Sequence, residues 1–191
     1  MSEKKHQAEI VYESKGKTPM GDPFLTVKKA RGYYEYAERG GVDSIAFILF
    51  DSKELKMALI KEGKPPLDER FNEVVMKITA FGGSIDVPGS SYQEICQKEV
   101  LEESGYDVPL DRIYSVGKTM VSTQMSQLCE GFFVDVTGLE KTHKTESEEK
   151  DASDELAKNK TIWMSTKEVL ENNDWKSIWI LSRALFLGHI K

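Results

Sequence analysis

Glu99, Glu102 and Glu103 lie in a segment, Ser91 to Ser104, whose pattern is that of a helix. Ser91 followed by Glu94 makes a capping box, and Gly105 stands where a helix stops. Residues three and four apart on a helix share a face, so the three carboxylates sit together. Like charges placed that way cost roughly a few tenths of a kcal/mol per pair. A hard divalent cation is the natural neutraliser. The trio itself brings no His or Cys, so its all-oxygen donors favour magnesium, with manganese as the alternative, over zinc. The plain alternative is a solvated acidic helix face. What weighs for a cation site is the glycine pair Gly82-Gly83, read as a turn just ahead of the helix.

Residues 82–106 read GGSIDVPGSSYQEICQKEVLEESGY. The part Lys98-Glu99-Val100-Leu101-Glu102-Glu103-Ser104-Gly105-Tyr106 resembles the end of the Nudix hydrolase signature. That signature runs Gly, five residues, Glu, seven residues, Arg-Glu-U-x-Glu-Glu-x-Gly-U, with U a bulky apolar residue. Three departures accompany the match: Lys98 replaces the arginine, Ser90 replaces the first glutamate, and the glycine segment is one residue longer than the pattern. Lysine keeps the charge and loses the planar fork, so a bidentate clamp becomes a single-point contact.

The resemblance implies an enzyme that hydrolyses the pyrophosphate of a nucleoside diphosphate linked to another group, ADP-ribose or a nucleotide sugar. The expected metal ligands are then Glu99, Glu102, Glu103 and the backbone carbonyl of Gly82, holding magnesium. The family places its general base in the signature helix or in a later acidic loop, where Asp154 and Glu155 are the candidates; the plain reading of that loop is solvated charge. Tyr36, Arg39, Lys61 and Lys98 are the candidate substrate contacts. Two other readings stay open: a dinucleoside polyphosphate or RNA-cap hydrolase, and a catalytically silent nucleotide-binding module of the same fold.

The elements that must position these groups follow from patterning. Alternating residues around Ile10–Tyr12 and Phe24–Val27 read as antiparallel strands. Ile45–Phe50 and Lys56–Lys61 read as a hairpin, Pro65-Pro66 as part of a polar connection, and Glu73–Phe81 as a strand ending in the glycine turn. Strands at 113–121, 128–136 and 161–164 follow, with a charged loop over 141–160, a short helix near Thr166–Asn172 and a final amphipathic helix from about Trp175 to Gly188. Its apolar face, with Ile178, Leu181, Leu185 and Phe186, is expected to cover the sheet. One mid-chain helix and a terminal one do not fit a βαβ alternation; an α+β fold, an α/β/α sandwich with a mixed sheet, fits. The layout resembles the ADP-ribose and GDP-mannose pyrophosphatase branch, which implies one domain, residues 41–191, with a strand extension at 1–40 exchanged in a homodimer.

Composition narrows the classes. The 191 residues carry 26 Lys and Arg against 32 Asp and Glu, a net charge of −6 that argues against a nucleic-acid partner. No apolar run approaches the roughly 20 residues of a membrane span. Cys96 and Cys129 lack metal-type spacing, and no secretory signal is visible at Met1–His6, so the expected location is cytoplasmic.

Overall fold

Alternating residues near the N-terminus build a small antiparallel sheet of β1 (Glu9–Glu13), β2 (Thr26–Ala30) and β3 (Tyr34–Glu38), in the order β1-β2-β3. The computed structural model describes residues 8–18, 21–40, 43–85, 89–145 and 159–190. β3 is tied to the loop after residue 121: Ala37 N–H donates to Gln124 O (2.8 Å) and Ser126 N–H donates to Ala37 O (3.0 Å).

The unbroken apolar run after Asp43 suits a strand covered on both faces. It becomes β4 (Ser44–Asp51), buried from Ser44 to Phe50. β4 pairs in parallel with β9 (Leu128–Asp135), and β9 in turn pairs antiparallel with β8 (Ile113–Met120). The other edge of β4 is shared. Its C-terminal half joins β5 (Lys56–Gly63) in the expected hairpin, Leu49 opposite Ala58. Its N-terminal half joins β7 (Phe81–Ser84), Phe47 opposite Phe81, and β6 (Met76–Thr79) pairs with the far half of β5, Ile60 opposite Thr79. The chain from Met76 to Ser84 is thus a wedge that splits β5 from β4. β10 (Lys160–Ser165) closes the outer edge of β5, which leaves one parallel pair in an otherwise antiparallel, mixed sheet.

Helices cover both faces. α2 (Tyr92–Ser104) lies on the face carrying Ile45, Phe47, Phe132 and Val134, and buries Ile95, Cys96 and Val100 there. The opposite face, with Ala46, Ile48 and Phe133, is covered by α3 (Thr166–Glu171) and α4 (Trp175–Leu187). Phe47 stacks on Phe81 with ring centroids 5.0 Å apart, which locks the wedge to β4. The result is the α/β/α sandwich of α+β type.

Three local expectations are corrected. Pro65-Pro66 opens α1 (Pro65–Phe71) rather than a polar connection: proline suits the first helical turn, where its missing N–H is not needed, and Asn72 ends the helix at φ 55°. Gly82 and Gly83 are strand residues of β7, not a turn, because the exposed N-terminal half of the β4 edge takes up their ladder bonds. In α4 the covering face is Ser177, Ile180, Leu181 and Ala184, whereas Leu185 and Phe186 are exposed, Phe186 by 80%. A helix that enters at Asp174 with its register set by that cap turns those two side chains outward.

The capping box of α2 forms as its sequence requires: Glu94 N–H donates to Ser91 Oγ (3.2 Å) and Ser91 N–H donates to Glu94 Oε2 (2.7 Å). Those bonds to Ser91 hold the Glu94 carboxyl below its ordinary value of 4.5. A carboxyl whose folded pKa is depressed stabilises the fold above its unfolded value and loses that contribution as pH falls through the folded one. Glu94→Gln is therefore expected to melt lower than the parent at pH 7, with the gap closing below pH 4.5. Melting curves across that interval check it; a gap independent of pH contradicts it.

Candidate active site

Where the wedge parts β5 from β4, the sheet leaves a cavity of about 310 Å³ that both helical layers reach. It is lined from the sheet by Ile60, Glu62, Thr79, Ala80 and Gly82, with Lys64 just beyond β5. Glu103 enters from α2, and Asp174, Trp175 and Lys176 from the start of α4. Of the expected ligands, the structure therefore brings Glu103 and Gly82 to one cavity. Glu99 lies beside it: a Cβ at Gly83 would fall 2.6 Å from Glu99 Cγ, so the carboxylate arm runs directly over the backbone of β7. Glu102 is paired along the helix with Lys98, Nζ to Oε1 3.3 Å, the single-point contact that a lysine permits at this place.

All three glutamates are half-buried, whereas Glu94 and Lys98 on the same helix are exposed. A merely solvated acidic face would leave the trio as open as its neighbours. Among the described residues, no three His, Cys, Asp or Glu side chains converge as a ready cage for a metal ion. The donors nonetheless have the chemistry of a hard cation site, oxygen alone, with Gly82 and Glu103 lining the same cavity.

The axial position of α2 is set by a polar cluster at its start. Tyr92 OH donates to Asp43 Oδ2 (2.8 Å), while Asp43 Oδ1 accepts from Leu128 N–H (3.0 Å). Lys118 Nζ sits 3.6 Å from the centre of the Tyr92 ring and 3.5 Å from Glu130 Oε2, and Ser115 Oγ donates to Glu130 Oε1 (2.6 Å). The hydrogen bond to Asp43 holds the Tyr92 hydroxyl above its ordinary pKa. Cys96, one turn on, is sealed in the core; burial first, then the charges of Glu99 and Glu130, push its thiol well up and leave it inert.

The remaining sequence candidates sit elsewhere. Tyr36 lies on β3 and Arg39 just after it, in the N-terminal sheet, and neither lines the cavity. Lys61 stands between Ile60 and Glu62 on β5, so strand alternation turns it to the opposite face. Asp154 and Glu155 lie outside the described residues. Glu62, Lys64, Thr79, Asp174, Trp175 and Lys176 were not singled out by the sequence. Alternation along Ile60-Lys61-Glu62 was the available signal for Glu62. For Asp174 it was an Asp three residues before a Ser at the head of an amphipathic helix. Glu62 Oε1 accepts from Thr79 Oγ1 (2.9 Å) and pairs with Lys64, which holds that ammonium at the cavity wall.

The close approach of Gly83 to Glu99 carries its own consequence. Gly83→Ala is expected to swing the Glu99 carboxylate away, since the colliding atoms belong to a flexible arm rather than to backbone. Stability should change by less than about 1 kcal/mol, while any activity that needs Glu99 in place should fall by roughly ten-fold or more. Paired melting and turnover measurements check this; equal turnover with an unchanged melt contradicts it.

Comparisons with known proteins place the fold. No family model matches the sequence, and no curated protein matches it. Among solved structures, the crystal structure of an ADP compounds hydrolase superposes with a TM-score of 0.61 over 96% of this chain and 96% of its own, at 16% sequence identity. The chain has a Nudix-like α+β fold. No helix among the described residues is long and apolar enough to cross a membrane.

Proposed function

We propose that the protein is a metal-dependent hydrolase that cleaves the pyrophosphate of a nucleoside diphosphate linked to a second group, ADP-ribose or a nucleotide sugar. The observation that carries this reading is the shared cavity of Gly82 and Glu103, flanked by Glu99 on Gly83. The solved structure of similar fold is that of a protein named for hydrolysing ADP compounds, which agrees with it.

Glu99, Glu102 and Glu103, with the Gly82 carbonyl, would hold the magnesium, or manganese in its place. When bound, that ion supplies charge neutralisation at the two phosphates and a water of lowered pKa. The chain does the rest. Lys64, held by Glu62, and Lys176 present positive charge from two sides of the cavity to an anionic substrate. Asp174, by contrast, is occupied: its Oδ2 accepts from Ala80 N–H (3.0 Å), Ser177 N–H (3.0 Å) and Ser177 Oγ (2.5 Å), so it braces the wall. The proton of the attacking water goes to a carboxylate, for which Asp154 and Glu155 are the proposed acceptors.

Turnover of ADP-ribose with magnesium, stopped by a chelator, is the test. A chain that binds the nucleotide tightly on a calorimeter and hydrolyses none, with magnesium or manganese, would instead be a binding module, the reading that the unconverged carboxylates favour.

The N-terminal strands fit a role between two copies of one domain, residues 41–191. Ile10, Val11, Tyr12 and Phe24 are each more than half exposed, and among the described residues no strand pairs with the outer edge of β1. A homodimer covering them is the expected state, and light scattering at micromolar concentration should give twice the 21.6 kDa chain mass. The monomer mass would contradict it. A cytoplasmic location agrees with this chemistry.

A further inference from the structure

The cavity is bordered by one large aromatic side chain that the fold holds firmly and yet leaves open. Trp175 is 44% exposed and forms part of the cavity lining. Two anchors fix it. On one side Asp174 ties the first turn of α4 to Ala80 at the joint of the wedge. On the other, the Trp175 ring lies against Trp179 with centroids 6.4 Å apart, and Trp179 is itself seated on β9: a Cβ at Gly131 would fall 2.7 Å from its ring. Lys176 Nζ is 5.9 Å from the Trp175 ring, so a positive charge accompanies the aromatic surface.

We infer that Trp175 is the platform on which the nucleobase of the substrate stacks, with Lys176 and Lys64 toward its phosphates. The inference rests on the hydrolase reading above and names the residue that recognises the base. An indole carried on a capped helix start and resting against Trp179 on one side has little freedom left to lose when a planar ring docks on its open face, and every base offers a π-face. A ligand that joins a flat ring to a phosphate chain matches an aromatic wall, two lysines and carboxylates around one cavity. The tyrosines at the start of β3 do not offer this arrangement: Tyr33, in the turn before β3, is 74% exposed, and Tyr34 OH on β3 donates to Thr123 O.

The experiment is a titration with AMP followed by intrinsic tryptophan emission, with ribose 5-phosphate as the baseless probe. AMP should quench the emission of the intact chain, and ribose 5-phosphate should not. Calorimetry should then show AMP binding weakened about ten-fold or more in Trp175→Ala, as expected for the loss of a base–aromatic stack, but less than about three-fold in Trp175→Phe, which keeps a ring. Equal AMP affinity in the parent and Trp175→Ala, or equal weakening in both variants, would overturn the inference. So would ribose 5-phosphate binding as tightly as AMP. AMP binding that depends on Trp175 in a chain that hydrolyses nothing would overturn the hydrolase reading alone. Hydrolysis with unaltered AMP affinity in Trp175→Ala would overturn this one alone.

Discussion

Glu103→Gln is expected to lower hydrolysis of the preferred substrate by roughly a thousand-fold, the scale on which removing a charge from a metal-centred phosphoryl site acts. Gln has nearly the same shape, so the half-buried side chain keeps its packing while losing the charge a cation needs. The melting temperature should therefore stay close to that of the parent, within about 0.5 kcal/mol of stability. The loss should fall on kcat more than on KM, because the substrate still meets Lys64, Lys176 and the sheet wall. Steady-state rates and a thermal melt on the same preparation separate the cases. Full activity in this variant would remove Glu103 from the chemistry.

Gly105→Ala should have the largest effect on stability. Gly105 ends α2 in the left-handed region, φ 78°, with its N–H donating to Leu101 O (2.9 Å). Its carbonyl accepts from Thr142 N–H (2.9 Å) and His143 N–H (3.2 Å), so the chain after β9 folds back over the helix end. A Cβ at this place would collide with the backbone oxygen of His143 and come within 2.9 Å of Lys141 Cγ. The left-handed conformation alone costs about 1 kcal/mol for alanine, and lifting residues 141–143 would forfeit two hydrogen bonds of about 1 kcal/mol each. We expect a loss of about 2–4 kcal/mol, or roughly 5–15 °C in the melting temperature. An unchanged melt would mean that the segment does not cover the helix end.

The parts of the fold that were legible in the sequence are those written in local chemistry. Ser91 with Glu94, Gly105, and the apolar run of β4 each specify their own geometry, and α2 and β4 appear where those residues put them. The carboxylate row was readable for the same reason, since its spacing and its helix come from one stretch of chain. What could not be read depends on pairing between distant segments. Nothing near Gly82 and Gly83 says that β4 has a free half-edge waiting for them; that follows only from how far β5 stays paired with it. The same split creates the cavity, so Glu62, Thr79 and the start of α4 become its walls through tertiary placement alone. The outward turn of Phe186 likewise reflects the phase set at Asp174, not the apolar content of the helix.

One measurement bears on the central claim most directly. The purified chain, with magnesium, is given ADP-ribose, nucleotide sugars, dinucleotides and dinucleoside polyphosphates in water enriched in oxygen-18, and the products are weighed by mass spectrometry. The account predicts that one compound is split at its pyrophosphate into a nucleoside monophosphate and a second phosphorylated product, with one heavy oxygen in one of them. All compounds intact, with manganese tried as well, would contradict it.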